Sequence, residues 1–333
     1  MVRVFVASRS FGRVVPDGVR LLQDVGDLVW NPFGRALTSM ELQGFLRDVD
    51  AALLGNDVCD RAVFESAERL RVVSRHGIGV DAVDLEAATD HGIVVTNTPH
   101  VNAVAVAEHA LALMLALLRR VPAADASVKA GRWEGLKFMG GELYGRTLGI
   151  VGLGAIGVEV AKRAKSLGMN VLYVKRRRNL DLERELGLTF KPLTELLSES
   201  DIVSIHLPLT DETKGLIGEE EIASMKPGAY IVNTARGGIL NLNALVEALK
   251  SGRLAGAALD VYDSEPPDFN HPLFKLENVI LTPHIGAYTV EAVRRMDTLA
   301  AENIVKALKG QIPEHVVNKE VLSRGNLRIK AST

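Results

Sequence analysis

Residues 147–158 read TLGIVGLGAIGV. The run TLGIV is apolar and β-branched, as a buried strand is. Gly152, Gly154 and Gly157 follow it as a G-x-G-x-x-G. Val160, Ala164 and Leu167 then fall on one helical face, and Gly168 is placed to end the helix. Strand, glycine turn and helix in that order suit a pyrophosphate. The first glycine permits the tight turn, the second lets the backbone approach the ligand, and the third lets helix and strand pack closely. The helix N-terminus adds unpaired N–H groups and the positive end of its dipole. The stretch therefore predicts a dinucleotide-binding turn.

Further strands lie downstream of this turn. After TLGIV come NVLYV (170–174), DIVSIHL (201–207), AYIVNTA (229–235), GAALDVY (256–262) and VILTPHI (279–285). Six candidate strands are the number in a full doubly wound dinucleotide domain. Upstream, a second series alternates with helical stretches: RVFVA (3–7), DLVW (27–30), AALLG (51–55), RVVSR (71–75) and IVVTN (93–97). Leu42, Phe45, Leu46 and Val49 form one helical face there, and 80–88 is a second candidate helix. Short apolar strands alternating with helices indicate βαβ units and parallel sheets, an α/β chain. Long helical patterns cover about 104–120 and 289–309, and the final dozen polar residues are expected to fray.

The residue that reads the adenosine ribose is expected about 20 positions beyond the turn, at the end of the next strand. A carboxylate there hydrogen-bonds both ribose hydroxyls of NAD and repels a 2′-phosphate. Here Lys175, Arg176, Arg177 and Arg178 follow the strand instead. Guanidinium groups hold phosphate bidentately and stack on adenine. The missing acid and the added cations both favour NADP, with NAD as the alternative cofactor. A solvated basic turn without a ligand is the plainer reading.

Three ionisable residues sit at the ends of successive late strands: Arg236 follows one in NTARGG, Glu265 follows the next in LDVYDSEPP, and His284 ends the last in LTPHIG. Ligands of open α/β sheets gather outside the carboxyl ends of the strands. Reducing a 2-oxo acid needs a hydride at the carbonyl carbon and a proton at its oxygen. A histidine carries such a proton, a carboxylate fixes its tautomer, and an arginine polarises the carbonyl. Plain alternatives are a structural histidine, a loop acid and an ordinary ion-pair partner. His91, His100, His109, His271 and His315 have no motif around them. In SRHGIGVD (74–81), consecutive N–H groups around Gly77 and Gly79 can form a nest for a carboxylate.

Composition sets the outer bounds. The 333 residues suffice for two domains, and 39 basic against 41 acidic residues leave no chain-wide basic field for nucleic acid. One cysteine, Cys59, excludes an internal disulfide and points to a reducing, cytoplasmic setting. The opening stretch MVRVFVASRS, with a charge inside its apolar run, is not expected to act as a signal peptide, the longest apolar run (110–118) is too short to cross a membrane, and no metal-ligand pattern occurs.

The stretches GIGVDAVDLEAA, GIVVTNTP, AVAEHALALMLALLR, GRWEG, GRTLGIVGLGAIG, IVNTARGGILN, GAALDVYDSEPP and LTPHIGAYT resemble the D-2-hydroxyacid dehydrogenase family, in its phosphoglycerate dehydrogenase-like and glyoxylate/hydroxypyruvate reductase-like branch. The resemblance implies two doubly wound parallel-sheet α/β domains with a cleft between them. A flavodoxin-like substrate domain would span 1–102 and 291–333, with a Rossmann cofactor domain inserted at 103–290. It implies Arg236, Glu265 and His284 as the catalytic set, and Ile78, Gly79 and Arg236 for the substrate carboxylate. Cofactor contacts would come from Gly152, Gly154, Ala155, Ile156, Gly157, Lys175, Arg176, Arg177, Leu207, Pro208, Thr234, Ala235, Arg236, Asp260, His284 and Gly286. It further implies a homodimer formed through the cofactor domain, with Trp133 reaching toward the partner's site. The chain departs from phosphoglycerate dehydrogenases at Leu54 and Gly55, where an Arg-Ser often holds the substrate phosphate. Arg75 and His76 are possible substitutes. The expected activity is reduction of a small 2-oxo acid of the glyoxylate or hydroxypyruvate type. Phosphoglycerate oxidation and a non-catalytic, dinucleotide-sensing corepressor-like scaffold are the alternatives.

Overall fold

The computed structural model describes residues 1–329. In chain order the first half of the fold is β1 (Arg3–Val6), α1 (Asp17–Gln23), β2 (Asp27–Trp30), α2 (Ser39–Leu46), β3 (Ala51–Leu54), α3 (Arg61–Ser66), β4 (Val72–Arg75), α4 (Leu85–Asp90), β5 (Val94–Thr96) and α5 (Ala103–Arg119). Then come α6 (Val121–Lys129), β6 (Thr147–Val151), α7 (Ala155–Ser166), β7 (Asn170–Val174), α8 (Leu180–Leu186), β8 (Thr189–Phe190), α9 (Leu193–Glu199) and β9 (Ile202–Ile205). The chain closes with α10 (Glu219–Ser224), β10 (Ala229–Asn233), α11 (Leu242–Lys250), β11 (Leu254–Leu259), β12 (Val279–Leu281) and α12 (Val290–Leu308). It divides into two compact units, Met1–Asn102 with the chain from Tyr288 onward, and Ala103–Ala287.

The first unit is a five-stranded parallel sheet in the order β2-β1-β3-β4-β5. Its central strands are buried on both faces, which explains AALL and VV as unbroken apolar runs rather than alternating ones. Helix α12 covers one face. Thr289 caps it, its Oγ1 accepting from the Ala292 N–H at 3.1 Å. The helix buries Val293, Met296, Ala300, Ala301, Ile304 and Ala307 at helical spacing. Asp297 lies in the same stripe, completely buried. A charge in an apolar stripe needs partners, and these are described below.

The second unit is a seven-stranded parallel sheet, β12-β11-β10-β9-β6-β7-β8. It contains one strand more than the six read from the sequence. The extra one, β8, is two residues at the sheet edge, too short to produce a hydrophobic period. It completes the 3-2-1 half of the doubly wound order, so the sheet winding reverses between β6 and β9. α5 packs across this sheet with Ala107, Ala110, Leu111, Met114 and Leu118 inward.

Other differences have local causes. The helix expected at 80–88 begins only at Leu85, because the preceding backbone is otherwise engaged. Val83 bridges Cys59, and the Asp84 N–H donates to the Cys59 carbonyl at 2.9 Å. Asp84 then caps α4, accepting from the Ala87 N–H at 2.8 Å. β11 and β12 end at Leu259 and Leu281, so Glu265 and His284 stand on loops beyond the strands. Of the terminal dozen expected to fray, Arg328 donates to the carbonyls of Ala67, Glu68 and Leu70, and Asn326 to that of Asp90. Residues 330–333 lie outside the described residues.

Candidate active site

The glycine turn divides its labour as the spacing requires. Gly152 has φ 103°, and a Cβ there would meet the His206 carbonyl oxygen at 2.7 Å. A Cβ on Gly157 would lie 2.3 Å from the Gly152 carbonyl oxygen, so the third glycine sets the helix–strand approach. Gly154 is different: a Cβ there would meet nothing within 4 Å. That position is exposed and opens onto free space at the N-cap of α7, which no side chain caps. The N–H groups of Ala155 and Ile156 at this helix start have no acceptor among the described residues. Uncapped donors, a positive dipole end and open space fit a dinucleotide pyrophosphate.

Around the turn stand the other candidate cofactor positions. The Leu207 side chain lies against Gly152, and exposed Pro208 follows it. Thr234 and Ala235 follow β10, both buried, and the Thr234 hydroxyl has no partner among the described residues. Such an atom is satisfied by a ligand or water. His206, at the end of β9, is also buried. Its Nε2 lies 2.8 Å from the Ser204 hydroxyl, and burial pushes its ring down to about 4. His206 is therefore neutral near pH 7 and unsuited to carrying a proton.

Four cations follow β7, all exposed, but they are not equivalent. Arg178 makes two bonds of 2.7 Å to Glu183 and lies over the Phe190 ring. Arg178, helped by Tyr173, holds the Glu183 carboxyl down at about 2. Arg176 pairs with Glu212. Lys175 and Arg177 have no partner among the described residues.

Glu265 and His284 come together. His284 Nδ1 lies 2.6 Å from Glu265 Oε2, with both side chains about one-third exposed. Since a carboxylate only accepts, Nδ1 carries the shared proton and Nε2 is left for exchange. His284 has φ 54°, a left-handed conformation that non-glycine residues rarely adopt. Asp260, buried at the end of β11, holds that conformation. It accepts from the N–H groups of Ile285 (2.9 Å) and Gly286 (2.8 Å) and from the Thr282 hydroxyl (2.6 Å). His109, on α5, adds Nε2 contacts of 3.1 Å to Thr282 and 3.4 Å to Asp260. Burial alone would push the Asp260 carboxyl up. The bonds from His109, Thr282, Ile285 and Gly286 outweigh it and hold the group below its ordinary value.

The Arg236 turn is fastened to the Glu265 loop. A Cβ on Gly237 would collide with the Tyr262–Asp263 backbone, and the Gly238 N–H donates to Asp263 at 2.6 Å. Buried Asn233 spans the turn, donating to the Arg236 carbonyl (2.8 Å) and accepting from the Ala235 N–H (3.0 Å). The Tyr262 N–H donates to Glu265 Oε1, and its hydroxyl to the Thr282 carbonyl at 3.0 Å. Sequence reasoning missed Asn233, Tyr262, Thr282 and the role of His109. Asn233 and Tyr262 bond to backbone groups, and His109 and the Thr282 hydroxyl reach Asp260 across the fold, arrangements for which no motif exists.

In the first unit, the carbonyls of Gly77 and Ile78 are tied by the Thr98 N–H (3.0 Å) and the Asn97 amide (2.8 Å). The N–H groups of Ile78 and Gly79 have no acceptor among the described residues, which suits an anion. Leu54 is fully buried and Gly55 lies against Ser8, so neither offers a group to a phosphate. His76 is buried in bonds to Asp297 and Ser8, which removes it as a substitute. Arg75 donates to the His76 carbonyl and to Asn56.

Fold and glycine turn define a dinucleotide-binding α/β protein with a histidine–carboxylate pair at the carboxyl edge of its sheet. The family model for the D-isomer specific 2-hydroxyacid dehydrogenase NAD binding domain matches residues 111–286. A glyoxylate reductase of Pyrococcus furiosus is 45% identical over 93% of this chain and 95% of its own. A D-3-phosphoglycerate dehydrogenase of Methanocaldococcus jannaschii is 44% identical over 91% of this chain but 57% of its own. The solved TT0316 protein of Thermus thermophilus superposes with a TM-score of 0.86 at 40% identity, covering 95% of this chain and all of that one. The chain belongs to the D-isomer specific 2-hydroxyacid dehydrogenases. It is an oxidoreductase that uses a nicotinamide dinucleotide to interconvert 2-oxo and 2-hydroxy acids.

Proposed function

We propose that the chain is an NADP-preferring reductase of small 2-oxo acids of the glyoxylate and hydroxypyruvate type. The 2.6 Å His284–Glu265 contact carries the reading, because it presents Nε2 of a correctly fixed imidazole. A dinucleotide held at Gly152, Gly154 and Gly157 and beside Thr234 would supply hydride chemistry at the substrate's C2. The N–H groups of Ile78 and Gly79 take the substrate carboxylate. Arg236 binds the carboxylate and polarises the carbonyl. As the carbonyl π electrons move to oxygen, His284 Nε2 gives that oxygen its proton, and Glu265 stabilises the imidazolium before transfer and fixes the tautomer after it. Lys175 and Arg177 support the 2′-phosphate reading, with Arg176 beside them. The similarity to glyoxylate reductases over nearly the whole chain supports the substrate class, as does the lack of a phosphate-holding side chain at Leu54 and Gly55.

The test is a panel of 2-oxo acids assayed in parallel with NADPH and NADH by loss of nicotinamide absorbance. Turnover of glyoxylate or hydroxypyruvate, faster with NADPH, is the expected result. A clear preference for 3-phosphohydroxypyruvate would indicate phosphoglycerate dehydrogenase chemistry instead. No turnover of any acid would leave the scaffold reading.

We also infer that two copies pair through the 121–144 segment. Val121, Val128, Trp133, Leu136, Met139 and Tyr144 are all more than half exposed, and Trp133 is 91% exposed. So many large apolar groups in one stretch mark an interface, and a second copy covers them with an equivalent surface. Sedimentation equilibrium should give twice the 36.0 kDa chain mass. Leu136→Asp with Met139→Asp should give the single-chain mass; a wild-type monomer would exclude the pairing.

A further inference from the structure

The first unit contains a polar network that the proton-transfer chemistry does not use. His76 is the first residue after β4, with its side chain 3% exposed. Its Nε2 lies 2.7 Å from Asp297 Oδ1 on α12. Its Nδ1 faces the hydroxyls of Ser8 (3.1 Å) and Ser10 (3.4 Å), on the loop after β1. The second Asp297 oxygen accepts from the Gly12 N–H at 2.9 Å, in the same loop. The Phe11 ring meets the imidazole edge-on. One buried pair therefore ties the loop at 8–12, the turn at 77–79 and α12 to each other. Burying these groups is costly unless each is bonded, so the network's return is a fixed loop.

The location of that loop gives the network its meaning. In the order β2-β1-β3-β4-β5 the winding reverses between β1 and β3, and ligands of such sheets sit outside the carboxyl ends at that reversal. The 8–12 loop follows β1, and the Gly55 turn follows β3, where a Cβ would lie 3.5 Å from the Ser8 Cα. β4 and β1 are two strand spacings apart, about 10 Å. A three-carbon acid and one arginine side chain together span that distance. Arg9 is on this loop, exposed, with no partner among the described residues. Arg75 at the end of β4 is folded back onto Asn56 and the His76 carbonyl.

We propose that Arg9 is a specificity-determining residue: it binds an anionic or hydrogen-bond-accepting substituent on C3 of the 2-oxo acid, and the His76–Asp297 pair holds its loop in place. The inference rests on the reading of Ile78 and Gly79 as the carboxylate site. Glyoxylate has no C3 and serves as the internal control.

The test compares Arg9→Gln and Arg9→Lys with the wild type on glyoxylate, hydroxypyruvate and 3-phosphohydroxypyruvate. Arg9→Gln should raise KM for the two three-carbon acids roughly tenfold or more, with kcat little changed, since a hydrogen bond to a charged group is lost. Its kcat/KM for glyoxylate should stay within about twofold of wild type, the margin a surface change leaves. Arg9→Lys should recover part of the loss. Glyoxylate falling as far as the others, or no change with any acid, overturns the inference. Calorimetric titration of 3-phosphohydroxypyruvate into protein saturated with NADP+ reads the same contact without turnover. Equal affinity in wild type and Arg9→Gln overturns it there too. Absent turnover in the wild type counts instead against the reductase reading.

Discussion

His284→Ala should lower kcat by about a hundred- to ten-thousand-fold, the usual contribution of a positioned general acid, while NADPH and NADH bind nearly as before. The geometry separates the two effects. The imidazole's role comes from the ring alone, with Nδ1 bonded to Glu265 at 2.6 Å and Nε2 left to exchange a proton. The backbone that carries it is held by other groups: the Ile285 and Gly286 N–H groups bond to Asp260, and the His284 N–H to the Thr282 carbonyl at 3.1 Å. Alanine keeps those bonds and tolerates the left-handed φ at a modest cost of about 1–2 kcal/mol. The dinucleotide positions proposed at Gly152, Gly154 and Thr234 are untouched. Steady-state kinetics and a fluorescence titration of cofactor on the same preparation check both halves. If cofactor affinity fell with turnover, the histidine's part would be to support the fold, and the proton donor would have to be sought elsewhere. His206 is a poor substitute, being buried with its ring pushed down to about 4.

What was legible in the sequence was what backbone sterics demand. Only glycine fits at Gly152 and Gly157, whereas Gly154 has open space around it, so two steric demands place the turn with its flanking strand and helix. The strands were legible as unbroken apolar runs because parallel sheets bury both faces. β8 was not, because two residues carry no period. The start of α4 was not, because a bridge from Cys59, far back in the chain, engages the backbone that 80–84 would have needed for a helix. At the candidate site, the ionisable side chains were readable from their place after late strands. Their supports were not. Asp260 holds two N–H groups 25 and 26 positions away, and Asp297 reaches back 221 positions to His76. No spacing rule connects such residues. The basic cluster was legible as charge but not as four different roles, because the Glu183 that captures Arg178 acts through a folded helix turn.

That division of roles decides how cofactor selectivity should respond to mutation. Lys175→Asp combined with Arg177→Ala should shift the ratio of kcat/KM for NADPH over NADH by at least about a hundredfold toward NADH. The estimate follows from losing two charge-assisted bonds to a 2′-phosphate, each about 1.5–3 kcal/mol, with about 1.4 kcal/mol per factor of ten. The new carboxylate also repels the phosphate and accepts from both ribose hydroxyls of NAD. Adding Arg176→Ala should extend the shift only slightly, because that guanidinium already faces Glu212. Arg178→Ala is the discriminating control. Arg178 is bonded twice to Glu183, which also takes the Tyr173 hydroxyl at 2.7 Å, so its loss should loosen the start of α8 and leave the cofactor ratio unchanged. If all four cations contributed equally, the cluster would act as a diffuse field, and high salt would erase the preference. If only Lys175 and Arg177 mattered, the double variant would remove nearly the whole preference, and further changes at Arg176 and Arg178 would add little. A wild-type enzyme that favoured NADH at the outset would defeat both versions and return the cluster to the solvent.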